Sequence, residues 1–445
     1  MNDTIFALSS APGRAGVAVI RVSGGAAADA LRALTGIASP SPRVATRGRL
    51  VRPDDGEMLD DGLVLWFPAP RSFTGEDVVE FQIHGGNAVV SAVLESLSRL
   101  PGLTMAEPGE FTRRAFLAGK LDLTEAEGLI DLIDSETEAQ RRQALRQSKG
   151  ALGRLYGEWR ERLLRVLAHF EATIDFPDEE LPESVENSVK QGMLGIIEEL
   201  SDHLDDNRRG ERLRDGVQIA ILGAPNVGKS SLLNLFSRRE AAIVSSQAGT
   251  TRDVIEVHLD LGGYPVLLAD TAGIRETADS VEAEGVLRAR ARADEADLKL
   301  FVCDAADAEE ALKSGFVDGD TIVVLNKTDL LPVGVGGFGQ TKSPALAVCA
   351  VSVQDGDGIE ALLDAVGSAV QARFGQSGGP VITRTRHRAA VESCRDALVR
   401  AVSADLPELS AEDVRLAMRF LGRITGTVDV EDLLDVIFRD FCIGK

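Results

Sequence analysis

The sequence predicts a multi-domain chain: a P-loop α/β domain with a mostly parallel sheet, inserted into an all-α domain and preceded by an α+β domain. Three observations carry this. Val217–Leu222 is a short apolar run that meets Gly223-Ala-Pro-Asn-Val-Gly228-Lys229-Ser230, and a helical pattern follows in Leu232, Leu233, Leu235 and Phe236. Strand, G-x-x-x-x-G-K-S, then helix is the context of a phosphate-binding loop. Up to about residue 118 strand and helix periods mix, whereas from Leu121 to about Asn207 the period is helical. It is helical again from Arg384 to Phe441. A lone tail cannot bury Leu416, Met418, Phe420, Leu421, Leu433, Leu434, Ile437 and Phe438, so it pairs with 121–207 across the inserted domain. Chain termini that lie close together make such an insertion easy. The expected boundaries are 1–118, 119–212, 213–375 and 376–445.

The chain of 445 residues, 44% hydrophobic and 27% charged, has the composition of a soluble globular protein of two to four domains. No apolar run approaches the ~18 residues of a membrane span, and Met1-Asn-Asp-Thr lacks the basic start of a signal peptide. Cys303, Cys349, Cys394 and Cys442 are far apart and form no C-x-x-C, which fits a reducing cytoplasm. A net charge of −22 argues against a generally basic nucleic-acid coat and leaves room for a local basic patch.

In chain order, strands are expected at Thr4–Ser9, Gly16–Ser23, Gly62–Phe67 and Val78–His84, with helices at Ala26–Leu34 and Ala88–Leu100. Arg21 interrupts the strand Val17-Ala-Val-Ile-Arg-Val, as an exposed-face residue or an anion ligand. His84, followed by two glycines, admits a structural and a catalytic reading. Thr124-Glu-Ala-Glu127 resembles a capping box, and Ile174-Asp-Phe-Pro ends a helix. Val333–Gly339 and Gln376–Pro380 have the composition of flexible loop or linker. Arg384-Thr-Arg-His-Arg388 is either a phosphate-contacting run or a solvated basic turn.

The phosphate loop sets the chemistry. Its glycines turn backbone N–H groups toward phosphate oxygens at a helix N-terminus. Lys229 is placed to reach the β- and γ-phosphates and Ser230 to ligate Mg²⁺. The motif segments around it are Gly223, Asn226, Val227, Gly228 and Ser231, then Ser245, Ser246, Gln247, Ala248, Gly249, Thr250 and Thr251, then Asp270-Thr271-Ala272-Gly273 at a strand end. The aspartate suits a water-bridged Mg²⁺ contact and the Gly273 N–H the γ-phosphate. Asn326-Lys327-Thr328-Asp329 ends another strand; there a carboxylate accepts guanine N1–H and the N2 amine, donors that adenine lacks. Ser352-Val353 takes the place of the last base-contacting loop, where backbone groups do the reading. These motifs in order define a P-loop GTPase with GTP as substrate. A water-orienting glutamine is absent after D-T-A-G, where Ile274 stands, which leaves Glu276, Glu282 and Glu284 as the nearby polar candidates for positioning water, and no arginine finger is evident.

With these residues in view, the chain resembles the bacterial tRNA-uridine 5-carboxymethylaminomethyl modification GTPases, a K⁺-activated family, over essentially its full length. SFTGEDVVE (72–80), PGEFTRRAF (108–116), KLDLTEAE (120–127), IDFPDEE (174–180), GAPNVGKSSLLN (223–234), GTTRD (249–253), DTAGIRE (270–276) and the terminal FCIGK (441–445) carry the resemblance. It implies an N-terminal folate-binding domain that forms a homodimer, cytoplasmic placement, and no membrane. It also implies an FAD-containing partner in a heterotetramer, acting at C5 of the tRNA wobble uridine with a 5,10-methylene- or 5-formyl-tetrahydrofolate one-carbon unit. Arg21, Glu80, Lys120 and Lys445 match the folate positions. Asn226, with backbone oxygens of the loop holding Ser245, Gln247 and Thr250, matches the K⁺ ligands, and Ser230 and Thr251 match the Mg²⁺ ligands. Glu282 matches the water-orienting glutamate. Cys442 is read as a catalytic or tRNA-proximal thiol or as a packed terminal cysteine; Gly444 and Lys445 fit a prenylation signal poorly. A regulatory RNA- or ribosome-binding GTPase without chemistry on RNA is the alternative function.

Overall fold

The computed structural model describes residues 3–176, 183–239, 242, 256–270, 293–312, 315–332, 344–375, 379–428, 431–439 and 441–444. Its helices of seven or more residues are α1 (Ala27–Thr35), α2 (Asn87–Ser98), α3 (Glu110–Leu117), α4 (Leu123–Ile133), α5 (Glu138–Ser148), α6 (Ala151–Asp175) and α7 (Glu183–Leu204). They continue with α8 (Arg209–Asp215), α9 (Lys229–Ser237), α10 (Ile359–Phe374), α11 (Thr385–Ser403), α12 (Pro407–Thr425) and α13 (Glu431–Arg439). Two compact units divide the chain. One comprises Met1–Ile130, Ser148–Arg165 and Arg415–Lys445, the other Asp131–Gln147 and Val166–Val414.

The first unit is built on a six-stranded sheet ordered β3-β4-β5-β2-β1-β6, from β1 (Thr4–Leu8), β2 (Ala15–Ser23), β3 (Thr46–Val51), β4 (Met58–Phe67), β5 (Val78–Gly85) and β6 (Leu103–Met105). Alternation sends Ile20, Val22, Phe81 and Ile83 to one face, where they are buried with Leu31 and Leu34 of α1 and Val93 and Leu97 of α2. On β1, Ile5 and Ala7 form a separate cluster with Ala106 and Phe111, and Phe73 packs against it. The expected strands and helices are present, with β4 extended back to Met58. Strand β3, strand β6 and helix α3 were not anticipated. In β3 only Gly48 and Leu50 point inward, too short an alternation to read. Helix α3 buries Thr112 and Arg114 beside Phe111 and Ala115, so its inner face is not an apolar stripe.

The entry to α4 corrects the expected cap. Asp122, rather than Thr124, is the capping residue: its carboxylate accepts from the Glu125 N–H at 2.8 Å, and Glu125 Oε2 accepts from the Asp122 N–H at 2.8 Å. The same reciprocal geometry therefore begins two residues earlier, on an aspartate. Leu123, Ala126 and Ile130 of α4 are buried with Leu434, Ile437 and Phe438 of α13 and with Phe441.

The second unit holds a six-stranded sheet ordered β12-β11-β10-β7-β9-β8, from β7 (Val217–Leu222), β8 (Glu256–Leu261), β9 (Tyr264–Asp270), β10 (Leu298–Asp304), β11 (Thr321–Asn326) and β12 (Ala347–Ala350). All neighbours are parallel except β8, which runs antiparallel to β9. Val217, Ile219 and Ile221 of the central β7 share a core with Leu232, Leu233 and Phe236 of α9 and Ile359 and Leu362 of α10. Ala220 and Leu222 face the other core with Phe301, Val323 and Leu325. A parallel sheet covered on both faces gathers its functional loops at the carboxyl ends of its strands.

In the same unit α7 packs along α11, so segments on either side of the α/β domain meet. Arg388 donates from Nε to Glu211 Oε2 at 3.0 Å and from Nη2 to Asp206 Oδ1 at 2.6 Å, while Arg384 pairs with Asp131 at 2.8 Å. Asp131 also takes Arg214 at 3.1 Å. Arg384 and Arg388 are thus spent on internal ion pairs that tie α11 to α4 and α8. The basic-turn reading and the phosphate reading of 384–388 both give way to this.

Candidate functional site

At the end of β7 the chain turns through Gly223 (φ 142°), Asn226 (φ 62°) and Gly228 (φ 103°) into α9. A side chain at Gly223 would stand 2.1 Å from Val302 O, and one at Gly228 would stand 2.3 Å from Asn326 Nδ2. The loop therefore tolerates only hydrogen there, and its backbone is free to cradle phosphates at the α9 N-terminus. Lys229 Nζ donates to Gly223 O at 2.9 Å and Ala224 O at 2.7 Å, which holds the ammonium over the loop.

The N-K-x-D loop and the loop at 352–353 are joined to this turn. Asn326 at the end of β11 donates from Nδ2 to Val227 O at 2.8 Å and accepts from the Val353 N–H at 3.1 Å. Ser352 Oγ donates to Asp329 Oδ1 at 2.8 Å, which orients the exposed carboxylate. Lys327 (φ 62°) pairs with Asp304 Oδ2 at 2.9 Å, and that contact lowers the Asp304 carboxyl below its usual range. Asp270 closes β9 opposite Ile221 of β7, one strand from the phosphate loop. Residues 245–251, Thr271, Ala272, Gly273, Glu282 and Lys445 lie outside the described residues, as do 333–339 and 376–378.

In the first unit the register places Arg21 of β2 opposite Glu80 of β5. Arg21 Nε and Nη2 both donate to Glu80 Oε1, at 3.0 and 2.9 Å. The guanidinium lies 5.5 Å from the Phe73 ring centre and 5.7 Å from that of Phe111. This charged pair edged by aromatic rings is a donor set that suits a planar, polar heterocycle. Lys120 Nζ donates to Pro70 O. Sequence reasoning missed the support beneath. Arg114, 5% exposed at its side chain, pairs with Glu76 at 3.0 Å and Glu110 at 2.8 Å. Ser23 Oγ donates to Glu76 Oε2 at 2.8 Å and lies 2.7 Å from Thr74 Oγ1. The signal in the sequence is the polar density of SFTGED and GEFTRRAF, in which no single residue shows which partner it holds.

The C-terminal tail lies against the same sheet. Ser9 Oγ donates to Gly444 O at 2.7 Å, Ile443 bridges to Pro108, and a side chain at Gly444 would stand 2.1 Å from Leu8 O. Leu8 is next to Ala7, the residue paired with Arg21. Cys442 is exposed, whereas Cys303 and Cys394 are buried and their thiols pushed up to about 11 and about 12 by burial. His84 is exposed and its Nδ1 lies 2.8 Å from Asp60 Oδ1, away from the Arg21–Glu80 pair along β5.

A parallel doubly wound sheet, a phosphate loop closed to side chains and an N-K-x-D loop bonded to it together define a P-loop GTPase. A model of the MnmE helical domain matches residues 123–442, and one of the GTP-binding protein TrmE N-terminus matches residues 4–120. The chain belongs to the MnmE family of tRNA modification GTPases. It is 56% identical to the tRNA modification GTPase MnmE of Rhodospirillum rubrum, covering 100% of this chain and 99% of that protein. It is 57% identical to the MnmE of Parvibaculum lavamentivorans, covering 100% of both. It is also 51% identical to the mitochondrial 5-taurinomethyluridine-[tRNA] synthase subunit GTPB3 of Danio rerio, covering 100% of this chain and 93% of that protein.

Proposed function

We propose that this GTPase is the GTP-hydrolysing component of a system that modifies C5 of the tRNA wobble uridine, U34. It uses a tetrahydrofolate one-carbon unit and works with an FAD-containing partner. The observation that carries the proposal is the Phe441–Gly444 tail laid beside β1, next to the strand bearing Arg21. A GTPase acting only as a timer has no use for a second cluster of charged and aromatic residues beside its own C-terminal tail. Arg21, Glu80, Lys120 and Lys445 would hold the folate, and Cys442 would face the RNA-proximal side. The partly exposed apolar residues of the N-terminal sheet, Val17 at 58% and Leu63 at 41%, support a homodimer through this domain.

In the α/β domain the nucleotide would be held by the 223–231 loop, 245–251, 270–273, Asn326, Lys327, Asp329 and 352–353. Ser230 and Thr251 would ligate Mg²⁺. Asn226 and backbone oxygens at Ser245, Gln247 and Thr250 would bind K⁺, which supplies positive charge at the β–γ bridge when bound. Glu282 would orient water. The domains follow the boundaries 1–118, 119–212, 213–375 and 376–445. Among the described residues no helix is long and apolar enough to cross a membrane.

The test is mass-spectrometric profiling of tRNA nucleosides in a deletion strain complemented with the wild type, Arg21→Gln or Cys442→Ser. Restoration of the wobble modification by the wild type and its loss with Arg21→Gln are expected. Full modification without the gene would leave the regulatory RNA- or ribosome-binding reading in its place.

A further inference from the structure

Arg114 of α3 is a buried cation in the first unit, its side chain 5% exposed. Its Nη1 donates to Asp3 O at 2.9 Å and to the Glu76 carboxylate oxygens at 3.0 and 3.2 Å. Its Nη2 donates to Glu110 Oε1 at 2.8 Å. Taking a guanidinium out of water is costly, so what it holds in place matters. Glu76 lies in the loop 68–77 between β4 and β5, and the same loop carries Phe73. There Ser72 Oγ donates to Glu76 O, and Thr74 Oγ1 accepts from the Glu76 N–H at 3.3 Å, so Phe73 is tied closely to Glu76. Phe111 stands one helical turn before Arg114 on α3, and both are buried.

Arg114 therefore fastens together the two elements whose rings flank the Arg21 guanidinium, Phe73 at 5.5 Å and Phe111 at 5.7 Å. The same network reaches β2, where Ser23 Oγ donates to Glu76 Oε2 at 2.8 Å from a position two residues along from Arg21. We propose that Arg114 is a positioning residue of the ring site. Its ion pair with Glu76 sets Phe73 relative to Phe111, and the two rings in turn hold the Arg21 guanidinium that meets the heterocycle. The inference deepens the proposed function and rests on the Arg21–Glu80 pair binding a reduced folate. Only a guanidinium suits this position. An ammonium keeps the charge but is a single point, and it cannot serve a main-chain oxygen and two carboxylates with the fixed geometry of a fork.

The experiment is calorimetry of the full-length protein with 5-formyl-tetrahydrofolate. It compares the wild type, R114K, E76Q, F73L and the double variant R114K/F73L. Thermal unfolding checks that each variant is folded. E76Q leaves Arg114 its carboxylate at Glu110, so it carries the test, paired with F73L in the same way, if R114K does not fold. R114K and E76Q should each weaken binding about tenfold or more, the order expected when a hydrogen bond to a charged group is lost. F73L should weaken it as well. The double variant should bind no more weakly than the poorer of its two singles, because Arg114 acts through Phe73. Losses that multiply in the double variant overturn the inference, since a general loosening of the fold would add to the loss of the ring. Wild-type affinity in R114K or in E76Q overturns it too, and leaves the folate reading standing. No heat from the wild type at millimolar ligand overturns the folate reading and the inference with it.

Discussion

The Asn326 side-chain amide spans two loops, donating to Val227 O at 2.8 Å and accepting from the Val353 N–H at 3.1 Å. The N-K-x-D loop and the phosphate loop are therefore one hydrogen-bonded unit, and Asn326 is 3% exposed. Asn326→Asp keeps the acceptor for Val353 but sets a charge against a carbonyl. It should weaken GTP and GDP alike by roughly 10- to 100-fold, the cost of about 1–3 kcal/mol for a buried group left without its bond. Equilibrium titration with a fluorescent guanine nucleotide checks this; equal affinity in the variant would separate the two loops.

Asp329→Asn should instead change which base is bound. Xanthine carries a carbonyl where guanine carries the N2 amine, so the amide variant should favour xanthosine triphosphate over GTP. The Ser352 hydroxyl that holds the carboxylate also fits an amide oxygen, so the loop should stay in place. Tight ATP binding by the unaltered protein would refute this account of base choice.

Hydrolysis should depend on K⁺ under the proposed site. With Ile274 at the glutamine position and no arginine finger evident in the chain, charge and water orientation must come from elsewhere. Replacing K⁺ by Na⁺ should cost a sizeable part of the ~10³–10⁵ that an arginine finger contributes, with Rb⁺ substituting for K⁺. Glu282→Ala should slow turnover strongly with GTP affinity nearly intact, and Glu284→Ala should be mild. Equal turnover in Na⁺ and K⁺, or a larger effect at Glu284, would defeat the mechanism.

Folate binding is measurable by calorimetry with a reduced folate on the full chain. Arg21→Gln should abolish the heat, because it removes the pairing with Glu80 and the charge between the Phe73 and Phe111 rings. Absence of binding to the wild type at millimolar ligand would remove the folate proposal.

Acid should weaken the second unit through His203. Burial, aided by Arg388 and His387 and opposed by Asp206, pushes its imidazole down to about 4 from an ordinary 6.5. Below pH 6.5 the unfolded chain takes up a proton that the folded one refuses until about pH 4. Stability is therefore lost as pH falls through that window, by roughly 3 kcal/mol. Urea midpoints of wild type and His203→Gln between pH 7 and 4 should converge as the pH drops. Parallel curves would place the acid sensitivity elsewhere.

The phosphate loop was legible because its logic is local: Gly223, Gly228, Lys229 and Ser230 do their work within one turn and one helix end. The Arg21–Glu80 pair was legible only through family resemblance, since its partners are 59 residues apart. Phe73, Phe111, Glu76 and Arg114 stand in motifs that carry the resemblance, but their places beside the pair were not legible, for the same reason. An arginine 38 residues from the glutamate it holds leaves no periodic trace. The run at 384–388 misled in the opposite direction, because charge in a sequence does not disclose whether a carboxylate waits inside.

The ion pairs of α11 also bear on how the chain is made. Asp131 leaves the ribosome 253 residues before Arg384, and Glu211 leaves 177 residues before Arg388. At about 5–20 residues per second, Asp131 waits on the order of ten seconds or more for its guanidinium. In that interval the α/β sheet, whose strands all lie between the two halves of the helical domain, has time to close around its own cores. The sheet and both of its cores are then complete in sequence before the second half of the helical domain has been made.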